Sequence, residues 1–217
     1  GETMTMGTAL GGVGTGGTKA LLVRAAGPSL GALGVGGVLP DPTLAINRLG
    51  ANEPTVFATN DDWGGAAGLS AAFASVGAFP YTAGGSKDAA VFNSAFAVGS
   101  YTVQVAGTGG AGIVIAEIYD ATPASSFTAA TPRLVNVSVL KQIGAGASLT
   151  AGFVVGGTGG KQILIRAVGP GLAPELIFVL ARVGHRHART GGNNVPAGDF
   201  FLQIGRASCR ERVSLNV

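Results

Sequence analysis

Gly11–Leu30 reads GGVGTGGTKALLVRAAGPSL: a glycine-rich turn, then an apolar run, then a Gly-Pro stop. Glycine supplies the positive φ of tight turns and costs a helix interior about 1 kcal/mol relative to alanine. The run Ala20–Ala26 therefore reads as a strand bounded by turns. The same order returns at Lys161–Leu172, where KQILIRAVGPGL matches KALLVRAAGPSL of Lys19–Leu30 at seven of twelve positions. The identities pair Lys19 with Lys161, Leu22 with Leu164, Arg24 with Arg166, Ala25 with Ala167, Gly27 with Gly169, Pro28 with Pro170 and Leu30 with Leu172.

Working outward, GETMTMGTALGG at the start aligns with GASLTAGFVVGG from Gly146, which gives an internal period of 142 to 145 residues. One nearly complete unit is expected over residues 1–120, a Pro/Ser/Thr/Ala linker over 121–132 and the start of a truncated second unit over 133–173. Alternation and β-branched content predict strands near Thr3–Leu10, Ala20–Ala26, Thr43–Arg48, Thr55–Thr59, Ala89–Phe96, Tyr101–Ala106 and Ile113–Tyr119. Three more are expected near Leu134–Leu140, Leu149–Val155 and Gln162–Ala167. One short helix fits Gly65–Val76, where Leu69, Phe73 and Val76 share a face. Short strands at this spacing predict an all-β fold, an antiparallel β-sandwich of the jelly-roll kind with one helix.

Composition agrees. The chain has 217 residues, of which 38 are glycine, against a usual share of about 7%. A hydrophobic fraction of 47% is enough to build a core. The net charge of +3 invites a nucleic-acid reading, but the charges are in the wrong place for it. Residues 1–173 carry eight basic and eight acidic side chains, so the excess belongs to 174–217 alone. There Ile204–Val213 reads IGRASCRERV, which looks like a translated sequencing adapter, and similarity to the first unit ends after Leu172. Residues 174–217 are therefore expected to be a frameshift or adapter tail that adds nothing to the fold. Cys209, the only cysteine, lies inside that tail and carries no redox information. No apolar run approaches the ~18 residues of a membrane span, and any export signal is expected outside this stretch.

Three strings resemble catalytic or phosphate motifs. Gly27–Gly31 matches the G-x-S-x-G pattern around a nucleophilic serine, yet residues 1–173 hold no histidine to take the proton from Ser29, and the second copy has Gly171 there. Gly12–Gly17 matches G-x-G-x-x-G, but a strand follows where a dinucleotide site needs a helix. Gly17-Thr18-Lys19 has the phosphate-loop residues in the wrong order. One polar cluster remains. Asp61 and Asp62, with Asp88 from another loop, offer hard oxygen ligands suited to calcium; Asn60 and Asp61 equally suit a turn that bonds its own backbone. Arg24 recurs as Arg166 within an apolar strand, which predicts a structural pairing with a carboxylate at the sandwich edge.

The string LLVRAAGPSLGALGV…LPDPTLAI…ATNDDW…SKDAAVFNSAFAVGSYTVQVAGTGGAGIVIAEIYD resembles a repeat module of large secreted and surface proteins of environmental bacteria. GSYTVQVAGTGGAGIVIAEIYD and DPTLAI more distantly resemble the bacterial pre-peptidase C-terminal domain, a β-sandwich appended to secreted enzymes. The resemblance implies no chemistry of its own. It implies a non-catalytic structural, spacer or adhesion module, extracellular or on the cell surface, with other repeat units of the same chain as partners. The alternative it implies is an accessory domain that binds extracellular polysaccharide or protein, with calcium where relatives use it. Trp63, Tyr81, Tyr101 and Tyr119 are the aromatic candidates for a carbohydrate face.

Overall fold

The computed structural model describes residues 3–50, 53–143, 148–156, 160–168, 176–184 and 199–204, the last two stretches as backbone only. The chain divides into two units, Gly1–Val139 and Leu140–Val217. The strands of the first unit are β1 (Met4–Gly11), β2 (Thr18–Ala26), β3 (Pro42–Leu49), β4 (Thr55–Asn60), β5 (Ala89–Ala97), β6 (Gly99–Gly107), β7 (Ile115–Asp120) and β8 (Arg133–Gln142, up to Val139). Helix α1 spans Ala67–Ser75, and a 3-10 turn spans Pro28–Leu33.

These strands form two sheets. One runs β8-β1-β6-β3-β4, and the other is the three-stranded β5-β2-β7. The pairings β1–β6, β6–β3, β3–β4, β5–β2 and β2–β7 are all antiparallel. The first unit is thus an all-β sandwich with one short α-helix, as the sequence predicts.

Period-two alternation explains which residues meet. Met6 and Leu10 of β1, Leu44 and Ile46 of β3, and Tyr101, Val103 and Val105 of β6 turn inward against Leu21, Val23 and Ala25 of β2. Phe57, Phe96 and Tyr101 stack within that core, with centroids 4.6 to 5.7 Å apart. Strand β2 is buried on both faces, from Lys19 to Ala26. Its other face carries Leu22 and Ala26, covered by a second cluster of Leu30, Trp63, Phe73 and Tyr81. The excursion from β4 to β5, which contains α1, supplies that cover. Helix α1 is alanine-rich and buries only Ala72 and Phe73, with Leu69 and Val76 partly covered.

The join between the repeat copies is tied down rather than free. Lys19 sits beside a bulge in β2, and its buried Nζ lies 2.6 Å from Asp120 Oδ2 and donates to Thr122 Oγ1 at 3.2 Å. Phe127 lies over the same ammonium, and Gly16 N–H donates to Ala130 O at 3.0 Å. Past it, β8 takes a place beside β1: Thr8 Oγ1 donates to Asn136 O at 3.0 Å, and Leu134 and Val139 pack on the core.

In the second unit β9 (Leu149–Val154) pairs antiparallel with β12 (Asp199–Ile204), and β10 (Gln162–Val168) with β11 (Leu176–Gly184). Two stretches of the segment read as a tail are therefore paired strands. The rest of it, and the recurring Gly169, Pro170 and Leu172, lie outside the described residues.

Candidate functional site

Loop residues that follow β4 meet those that precede β3. The register sets Leu44 opposite Asn60, so the chain just before β3 lies alongside the chain just after β4. This brings Asp41 to Asp61 and Asp62, with one carboxylate oxygen from each within 4.8 Å of the others. Asp61 and Asp62 are exposed and Asp41 is half-buried. Lys87 Nζ lies 2.6 Å from Asp62 Oδ2, and the hydrogen bond to that carboxylate, then its charge, raises the lysine pKa. Thr108 Oγ1 donates to Asp41 Oδ2 at 2.6 Å, whereas the buried Asp41 Oδ1 has no hydrogen-bond partner. Oxygen ligands about 2.3–2.6 Å from a calcium ion lie within such mutual distances. Asn60 serves the backbone instead. Its Nδ2 donates to Asp62 O at 3.0 Å and its Oδ1 accepts from Ala90 N–H at 2.8 Å, which pins the loop to β5.

Asp88 is not part of this cluster. The β2–β5 register pairs Ala25 with Ala89, so the residue before β5 faces the turn that leaves β2. Asp88 is fully buried there. Its Oδ1 accepts from Gly27 N–H at 2.7 Å, both oxygens accept from Ser29 N–H at 3.2 Å, and Oδ2 accepts from Ser29 Oγ at 2.5 Å and from Ser86 Oγ. Four donors converge on one carboxylate, and two of them are backbone N–H groups at the start of the Pro28–Leu33 turn. Ser29 Oγ in turn accepts from Thr82 N–H at 3.0 Å. The serine of the hydrolase-like string is therefore buried and oriented by a carboxylate and a backbone amide.

Arg24 forms the second polar centre. It stands directly opposite Glu117 on β7 and Ala90 on β5, and the small Ala90 leaves room for its fully buried guanidinium. Nε lies 3.2 Å from Glu117 Oε2, close enough to pair electrostatically though not aligned as a hydrogen bond. Nη1 donates to Phe79 O at 2.7 Å. Phe73, Phe79 and Tyr81 surround the charge, with centroids 4.3 to 4.5 Å from Cζ. The carboxylate partner expected from the sequence exists, but Arg24 lies on the central strand of its sheet, beneath the excursion, rather than at the sandwich edge. Its counterpart Arg166 on β10 is exposed.

Burial raises the pKa of Tyr81 above the ordinary phenol value, against the opposing charge of Arg24. Burial also raises Tyr119, helped by the hydrogen bond its hydroxyl donates to Glu117 Oε1 at 2.7 Å.

Asp41 is the residue the motif reading missed. It lies in the LPDP turn, some twenty positions from Asp61, and only pairing the predicted strands β3 and β4 as a hairpin would have brought it forward. Among the aromatic candidates Trp63, Tyr81 and Tyr101 are buried and Tyr119 is half-buried. No protein-family model, curated protein or solved structure matches the chain.

Proposed function

We propose that this chain is a structural spacer or adhesion module of a secreted or cell-surface bacterial protein, with other repeat units as its neighbours. One observation carries the reading: the side chains that a ligand site would use are turned into the fold. Trp63, Tyr81 and Tyr101 belong to the core, and Lys19, Arg24, Ser29 and Asp88 bond to other parts of the same unit. Phe92 and Phe127 are exposed, but Phe127 lies against Lys19. Among the described residues no helix is long and apolar enough to cross a membrane. The test is a binding screen of the intact chain against extracellular polysaccharides and matrix proteins. A spacer gives no saturable binding, and a saturable isotherm with any of them would overturn the spacer role in favour of adhesion or accessory binding.

The arrangement of Asp41, Asp61 and Asp62 favours a second reading, an accessory binding module that uses calcium. Asp88 drops out of the ligand set because its oxygens already hold Gly27, Ser29 and Ser86. A ligand that binds only the native state raises stability by mass action. Thermal melts in calcium and in chelator should then differ, and Asp41→Asn should abolish the difference. Identical melts remove calcium from the account.

A further inference from the structure

Strand β8 belongs to one copy of the repeat by sequence and to the other by structure. Arg133 opens the second copy, after the linker Ala121–Pro132, yet β8 lies beside β1 of the first copy and the compact unit runs on to Val139. The next strand along the chain, β9, pairs with β12. We infer that copies of this repeat interlock: the strand opening one copy closes the sheet of the copy before it. The side of β1 away from β6 is then a docking surface for the segment RLVNVSVLKQ of an adjoining copy. The inference rests on reading Lys161–Leu172 as a second copy of Lys19–Leu30.

The fit at β1 is specific. A Cβ on Gly7 would lie 2.6 Å from Ser138 Oγ, so β8 can approach this closely only because position 7 has no side chain. Ser138 Oγ donates to Gly7 O at 3.4 Å, and Thr8 Oγ1 donates to Asn136 O at 3.0 Å, so each strand sends a hydroxyl to the other's backbone. An edge strand presents unpaired N–H and C=O groups that invite another strand, and here the invited strand is supplied from across the linker. The alignment of GETMTMGTALGG with GASLTAGFVVGG sets Gly152 on β9 at the place of Gly7. The second copy thus keeps a glycine at the position where the first meets β8, on a strand where glycine otherwise weakens pairing.

The experiment uses the intact chain carrying Asn136→Pro, which removes from the middle of β8 the backbone N–H on the side whose carbonyl already meets Thr8 of β1. Hydrogen exchange of Met4–Gly11 should accelerate about tenfold or more as this edge opens, while Trp63 emission stays native. Adding an excess of the synthetic peptide RLVNVSVLKQ should restore the slow exchange, and a scrambled peptide should not. Unchanged exchange in Asn136→Pro, or no restoration by the peptide with Trp63 still native, overturns the inference. If Asn136→Pro loses the native Trp63 signal, the pair Gly7→Val and Gly7→Val/Ser138→Gly replaces it. Faster exchange of β1 and β8 in the first, reversed in the second, supports the interlock, and absence of reversal overturns it. The repeat reading fails on separate grounds, namely re-sequencing of the source that does not recover Lys161–Leu172.

Discussion

Replacing Asp88 by alanine removes the acceptor on which Gly27 N–H, Ser29 N–H, Ser29 Oγ and Ser86 Oγ converge. The hydroxyls can turn to other partners, but the two backbone N–H groups cannot. Each orphaned, buried donor costs about 1–3 kcal/mol. Two such donors, with the small void left by the carboxylate, put the loss at roughly 3–5 kcal/mol. For a unit of this size that lowers Tm by roughly 10–15 °C. Asp88→Asn keeps one acceptor oxygen for Gly27 but loses the charge that strengthens the bonds, so it should fall between parent and Asp88→Ala. Emission of Trp63, the only tryptophan, reports unfolding at close range, because Trp63 N–H donates to Asp88 O at 2.9 Å. Asp61→Ala, on the exposed loop, serves as the control and should stay within about 0.5 kcal/mol of the parent. If Asp88→Ala unfolds at the same denaturant midpoint as Asp61→Ala, the buried carboxylate does not hold the turn and the reasoning fails.

A methyl group at Gly27 would overlap the carbonyl of Leu39, and backbone cannot swing aside, so Gly27→Ala should cost about 2 kcal/mol or more by chemical denaturation; a loss under about 0.5 kcal/mol would show that the turn relaxes freely. Burial raises the folded pKa of Tyr81, Tyr101 and Tyr119. The unfolded chain therefore releases these protons first, and their contribution to stability is complete below about pH 10 and declines as pH rises toward the folded values. Phenolate absorbance should titrate at higher pH in the native chain than in denaturant, and superimposed curves would contradict the packing of these rings. Ser29 should leave a fluorophosphonate probe unreacted, while Ser29→Ala should lose about 1–3 kcal/mol through the bonds to Asp88 and Thr82; labelling that disappears in Ser29→Ala would make it a nucleophile.

The strands of the first unit were legible because most are short apolar runs with glycine or proline nearby, and their observed bounds differ by at most two residues. The sandwich followed from their number. Pairing was not legible, since alternation says which face of a strand is apolar but not which strand lies beside it. That gap hid Asp41 from the acidic cluster and set Asp88 with Asp61 and Asp62, although the β2–β5 register delivers it to Gly27. Arg24 shows the same limit. Its recurrence announced a structural charge, but the ring of Phe73, Phe79 and Tyr81 comes from an excursion about fifty residues away. The expectation of a linker over 121–132 rested on composition alone, which could not reveal that Lys19 reaches Asp120 and Thr122 and that β8 returns to β1.

A spacer must hold under tension, and single-molecule pulling of the intact chain from its two ends tests that directly. The first unit, closed from β1 to β8, should give one cooperative event that releases on the order of 450 Å of chain. Extension of the first unit with no resolved event would contradict a module built to carry tension, and an event shorter by roughly 60 Å would mean that β8 and residues 121–132 come away before the sandwich yields.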